Sequence, residues 1–144
     1  MSFEKVTLQI TLAAPLAKAW VYWTNPQHIQ QWNFADPSWH CPAATNDLRI
    51  GGSFNYRMAA RDGSFAFDFE GIYDAVESEA LIAYHLADGR SVRITFEALP
   101  NGDSQITQIF DAEKENPIDM QRAGWQAIMD NYKGLVEVKG TPGP

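Results

Sequence analysis

Five stretches between Ser53 and Ala112, SFNYRMAA, SFAFDFEGIYDAVE, ALIAYHL, SVRITFEAL and SQITQIFDA, carry strand-like patterns, and each is joined to the next by only a few residues. Parallel neighbours need a crossover of a dozen or more residues, so these stretches can pair only as an antiparallel meander. RDG and PNGD bring turn chemistry to two of the joints. Alternation assigns the faces. Phe54, Tyr56 and Met58 share one side of the first stretch; Phe65, Phe67 and Phe69 share one side of the second, with Asp68 and Glu70 opposite; Val92, Ile94 and Phe96 align in the fourth. The apolar side of such a sheet has to be covered by the rest of the chain.

The flanking sequence can cover it. KVTLQITL alternates as a half-buried strand, and after Pro15 the residues Leu16, Ala19, Trp20 and Trp23 fall on one helical face. Asn25 can cap a second short helix that has Pro26 at its first position and carries Ile29 and Trp32 inward. NFADPSWHCPAATN shows no period and reads as loop leading into a short strand, and Gly51-Gly52 reads as a turn. A final helix begins at Asn116-Pro117 with Asn116 as cap and Asp119 in its first turn. Its apolar stripe is Trp125, Ile128, Met129, Tyr132, Leu135 and Val136. A helix from Pro117 to Glu137 spans about 31 Å, enough to lie along a whole strand of about 27 Å. The fold class is therefore α+β: a curved antiparallel sheet of about six or seven strands wrapped around a long C-terminal helix, with two short helices after the first strand. Residues 1–138 form a single domain, and 139–144 are expected to be a flexible tail.

Composition narrows the function. Net charge is −7 and the 11 basic residues are scattered, which argues against a nucleic-acid partner and against anionic membranes. No run approaches the roughly 20 apolar residues of a membrane span, and the N-terminus alternates where a secretory signal would be continuously apolar, so a cytoplasmic location is expected. Cys41 is the only cysteine, which excludes an internal disulfide. His28, His40 and His85 have no metal-ligand spacing, and no G-x-S-x-G, phosphate-loop or dinucleotide motif occurs, so no metal, no other cofactor and no catalytic residue is assigned. Gln108 lies between Ile106 and Phe110 on the inward face, and a buried amide there needs an internal partner or a ligand. A bent sheet closed by a helix can leave a cavity.

LAAPLAKAWVYWTNPQHIQQW, DLRIGGSFNYRM, FEGIYDAV and AGWQAIMDNYKGL occur in order from about Val6 to Leu135. Together they resemble the activator of heat-shock protein 90 ATPase-like family, within the START-like, Bet-v-1-like helix-grip superfamily. The shared features are an alanine-proline entry to the first helix, a tryptophan closing the second, a Gly-Gly turn and a terminal Gly-Trp helix. The resemblance implies a helix-grip fold with a ligand cavity between sheet and terminal helix. It also implies a chaperone contact, although the eukaryotic co-chaperone has a preceding chaperone-binding domain with no counterpart here. Members often follow the tryptophan with another aromatic, a glycine and a proline; NFADPSWHCP follows Trp32 instead, so ligand specificity does not carry over. The resemblance also gives Gly124 a role, as a position of close helix approach or free space beside Trp125. The expected partner is a small, largely apolar molecule, lipid-like or aromatic, the alternatives being a chaperone-interacting module or a cyclase- or hydrolase-type enzyme using polar cavity residues, and a homodimer is compatible with the sequence. The expected walls are Phe54, Tyr56, Met58, Phe67 and Phe69 from the sheet, with Phe96 and Phe110 beyond them. Gly124, Trp125 and Met129 come from the helix, with Trp32 near the mouth and Gln108 as an orienting polar group.

Overall fold

A computed structural model describes residues 3–137, and the tail expected over 139–144 lies outside the described residues. In chain order the elements are β1 (Lys5–Leu12), α1 (Leu16–Thr24), α2 (Pro26–Trp32), β2 (Trp39–Asn46), β3 (Ser53–Ala60), β4 (Ala66–Glu77), β5 (Leu81–His85), β6 (Ser91–Ala98), β7 (Ser104–Asp111) and α3 (Ile118–Val136). The strands form one antiparallel sheet in the order β1-β7-β6-β5-β4-β3-β2, curled into a half-barrel. Strands β3 to β7 follow one another as the expected meander. α1 and α2 carry the chain from β1 at one edge to β2 at the other. This is the helix-grip arrangement, with α3 lying in the curl.

The alternation of β1 is carried through in burial: Val6, Leu8, Ile10 and Leu12 are buried, and Val6, Leu8 and Ile10 stand opposite Phe110, Gln108 and Ile106 of β7. Asn25 caps α2 as expected, its Oδ1 accepting from the Gln27 amide at 2.9 Å. α1, α2 and the C-terminal half of α3 meet in an aromatic block. Trp23 packs 5.2 Å from Trp32, 4.8 Å from Tyr132 and 5.9 Å from Phe96, measured between ring centroids. Two buried bonds hold that block in register: Trp32 Nε1 donates to the Tyr22 carbonyl at 2.9 Å, and the Tyr132 hydroxyl donates to the Ala19 carbonyl at 2.6 Å. This end of the half-barrel is solid core.

Three expectations need correction. The segment read as loop before a short strand contains the full strand β2, whose period is hidden by an irregularity between His40 and Ala43. There Cys41 and Pro42 together oppose the single residue Met58, and a proline without an N–H fits such a bulge on an edge strand. Asn116 does not cap α3. The boundary residue is Pro117, which has no side-chain acceptor, and Gln121 reaches back instead, accepting from the Glu113 amide (2.8 Å) and donating to the carbonyls of Glu113 (3.0 Å) and Asn116 (2.8 Å). Of the two roles expected of Gly124, close approach is not found, since a Cβ there would meet no atom within 4 Å, and open space is what the position borders. The Trp125 ring, stacked on Phe110, fills the space between helix and sheet at this level, so the backbones stand apart. Nothing in the structure requires glycine at 124.

Candidate functional site

Away from the aromatic block, α3 and the sheet leave a pocket of about 310 Å³ between them, at the lower end of the range typical of small-molecule sites. α3 contributes the roof through Trp125, Ile128 and Met129. The floor comes from Tyr56 and Met58 of β3, Phe67 and Phe69 of β4, and Ile82 of β5, while Trp23 and Trp32 close the side toward the solid core. Trp125 is braced against two strands. Its indole lies flat on Phe110 of β7, with centroids 4.0 Å apart and planes 8° from parallel, and meets the edge of Phe69 on β4 at 6.1 Å. A ring pinned from two strands in this way is a fixed wall, its neighbours restricting both χ angles.

Eight of the expected wall residues line this pocket: Trp32, Tyr56, Met58, Phe67 and Phe69, together with Gln108, Trp125 and Met129. Four do not. Phe54 is buried behind the floor against Tyr56, Tyr73 and Tyr84. Phe96 is covered by Trp20 (5.0 Å) and Trp23, which place it in the closed core. Phe110 supports Trp125 from beneath, and Gly124 is not among the lining residues. Sequence reasoning missed Trp23, Tyr73, Tyr84 and Arg90, and the amides of Asn33 and Asn46. Strand alternation could have supplied the two tyrosines. Nothing local marks Arg90, which stands at the end of the β5–β6 turn, or the two asparagines, which flank the irregular segment.

The polar lining falls into two groups. One is internally bonded: the Tyr73 hydroxyl donates to Asn46 Oδ1 (2.5 Å), Asn46 Nδ2 donates to the Thr24 carbonyl (2.8 Å), and Tyr56 shares a hydrogen bond with Tyr73. Burial pushes the Tyr73 hydroxyl up to about 12 and raises Tyr56 and Tyr84 well above the ordinary tyrosine value, so all three stay protonated across the physiological range. The other group has no partner. Gln108 is only 5% exposed and its side-chain amide bonds to no described residue, nor does the hydroxyl of Tyr84.

Other chemistry-bearing residues are turned outward or inert. Asp68 pairs with Arg57 at 3.2 Å and Glu70 accepts from Asn55 at 3.1 Å, both on the solvated face. His85 Nδ1 lies 2.9 Å from Asp74 Oδ1 on the outside of the sheet. Cys41 is buried, which pushes its thiol up to about 11.

The sequence profile of the family described as activator of Hsp90 ATPase homolog 1-like protein matches residues 13–137. The solution structure of an AHSA1-like protein from Aeromonas hydrophila is 35% identical, covers 98% of this chain and 97% of its own, and superposes with a TM-score of 0.89. That of protein Chr148 from Cytophaga hutchinsonii is 47% identical, with 92% of each chain covered and a TM-score of 0.80. Protein CV1439 from Chromobacterium violaceum shares the fold at 20% identity, TM-score 0.84, over 94% of this chain and 99% of its own. No curated protein matches.

Proposed function

This chain belongs to the activator of Hsp90 ATPase homolog 1-like family, and on that premise we propose that its pocket binds a small, largely apolar molecule. The observation that carries this reading is Gln108. Its amide is open to the pocket and bonds to no described residue, so a ligand group can pair with it, a bond worth about 0.5 to 1.5 kcal/mol net. The aromatic walls supply the rest. Burying about 200 Å² of apolar ligand surface contributes roughly 5 kcal/mol at 25 cal/mol per Å², less the freedom the ligand loses. The site orients and buries its guest. The lone buried cysteine and acidic composition suit a reducing, aqueous compartment, and we assign the protein to the cytoplasm. None of the described helices is long and apolar enough to cross a membrane.

Intrinsic tryptophan emission tests the reading with a panel of fatty acids, flavonoids and aromatic polyketides. Trp23, Trp32 and Trp125 all line the pocket, so a bound ligand changes the emission and Trp125→Phe reduces the change without abolishing it. An unchanged spectrum and unchanged melting temperature across the panel would sink the proposal. A chaperone contact, the activity in the family's name, is the second reading. It is favoured by Phe65, which is 60% exposed beside Trp39 at the β3–β4 hairpin. Phe65→Ser would then weaken association with Hsp90 while leaving ligand binding intact.

A further inference from the structure

At the β5–β6 end of the pocket, the neutral lining gives way to a charge. Arg90 is the only ionised side chain among the lining residues: no aspartate or glutamate borders the pocket of a chain whose net charge is −7. Its position is fixed by the turn it ends, through the Leu86 amide donating to the Arg90 carbonyl at 2.8 Å and the Arg90 amide donating to Asp88 Oδ1 at 3.1 Å. The guanidinium is held by one edge, Nε donating to Asp88 Oδ2 at 2.7 Å, and its two terminal nitrogens bond to no described residue. The carboxylate of Asp111, on the neighbouring strand β7, is already taken by Lys5 (2.6 Å) and by the Ser91 amide (2.8 Å) and hydroxyl (3.0 Å). Tyr84 borders the pocket in the same region, opposite Val92 in register, 8% exposed, and its hydroxyl bonds to none of the described residues.

We propose that Arg90 and Tyr84 form the head-group end of the pocket and that its ligand is an apolar molecule carrying one carboxylate, a fatty or aryl monocarboxylic acid. This rests on the pocket reading above and adds the substrate class. Free guanidinium nitrogens match a carboxylate in geometry and charge, a neutral hydroxyl adds one more donor, and the apolar body then extends over Ile82 toward Met129. A single cation already half-balanced by Asp88 suits one negative charge and not the two of a phosphate monoester. The Tyr84 hydroxyl, kept protonated by burial, can act only as a donor to that charge.

The test uses isosteric pairs: decanoic acid against 1-decanol, and cinnamic acid against cinnamyl alcohol, titrated near neutral pH by calorimetry. For the wild-type protein the acid should bind about tenfold or more tightly than the alcohol, the usual scale of a charge-assisted bond. Arg90→Gln should erase that ratio without weakening the alcohol, and Arg90→Lys should retain part of it. Equal binding of acid and alcohol to the wild type overturns the carboxylate proposal while leaving the pocket reading intact. An acid preference that survives Arg90→Gln overturns the assignment to Arg90. Failure of all four probes to bind removes both readings, and if Arg90→Gln does not fold, the wild-type ratio decides.

Discussion

Gly71 and Gly124 are both glycines within regular elements, yet they carry opposite expectations. A Cβ on Gly71 would sit 2.8 Å from the His85 carbonyl oxygen and 2.9 Å from two ring carbons of Phe54. Neither neighbour can yield easily, because the carbonyl belongs to the adjoining strand and Phe54 is wedged among Tyr56, Tyr73 and Tyr84. Gly71→Ala should therefore cost about 1 to 3 kcal/mol of overpacking, measured by urea denaturation. Gly124→Ala, with free space around the new methyl group, should leave stability unchanged or raise it by up to about 1 kcal/mol through helix propensity. A loss on that substitution would restore the close-approach role that the Gly-Trp pair suggests in the sequence. Asp111 sets an acid limit. Burial by itself pushes its carboxyl up, but the bonds from Lys5 and Ser91 outweigh that and hold it below the usual 3.8. A carboxyl lowered by folding contributes stability that is complete above its unfolded value and lost as pH falls through its folded one. Asp111→Asn should lower stability near neutral pH and flatten its dependence on pH below about 4, as followed by thermal melts across that range.

Among the elements, α3 is the one whose placement shapes the pocket, and Trp125 on Phe110 is the contact that spaces it from the sheet. Changing Phe110→Leu and Trp125→Leu singly and together should reveal a coupling of about 0.5 to 1.5 kcal/mol in chemical denaturation, the usual worth of an aromatic pair beyond its buried area. Additive losses would mean that the stack is incidental and the helix is spaced by something else. Much of this arrangement is legible in the sequence. β1 and the β3–β7 meander have a clean period or short joints, and Asn25-Pro26 is a local signal with a local outcome. β2 is not legible, because Pro42 and its bulge break the alternation and the strand is defined only by pairing with β3. Inward-facing residues could be recognised, but alternation cannot say which inward residue meets empty space. Phe96 and Phe69 have the same pattern and differ only because Trp20 and Trp23 cover the first and not the second. That distinction is tertiary.

For the molecule as a whole, the pocket is held open from both ends of its roof. The start of α3 is tied down by the Gln121 clamp on Glu113 and Asn116. Its end is tied by Tyr132 to Ala19 and by the Ala13 amide donating to Glu137 (2.6 Å). A guest that binds only the folded state adds its binding free energy to the stability of that state. At a ligand concentration of about 100 times Kd this is roughly 2.7 kcal/mol, which for a domain of this size raises Tm by about 8 °C. Any ligand of the native state would produce such a shift, so its location needs a second variant. Ile82 lies on the floor, and Ile82→Phe adds a ring where about 310 Å³ is free, so it should cost less than the usual overpacking penalty. The filled variant should melt within a few degrees of the wild type when empty and lose most of the ligand-induced shift, because the volume that received the guest is occupied. Scanning calorimetry of both proteins with and without the tightest-binding acid decides the matter. A shift in Ile82→Phe as large as in the wild type would place the ligand elsewhere, and the sheet-helix pocket would have to be given up as the site.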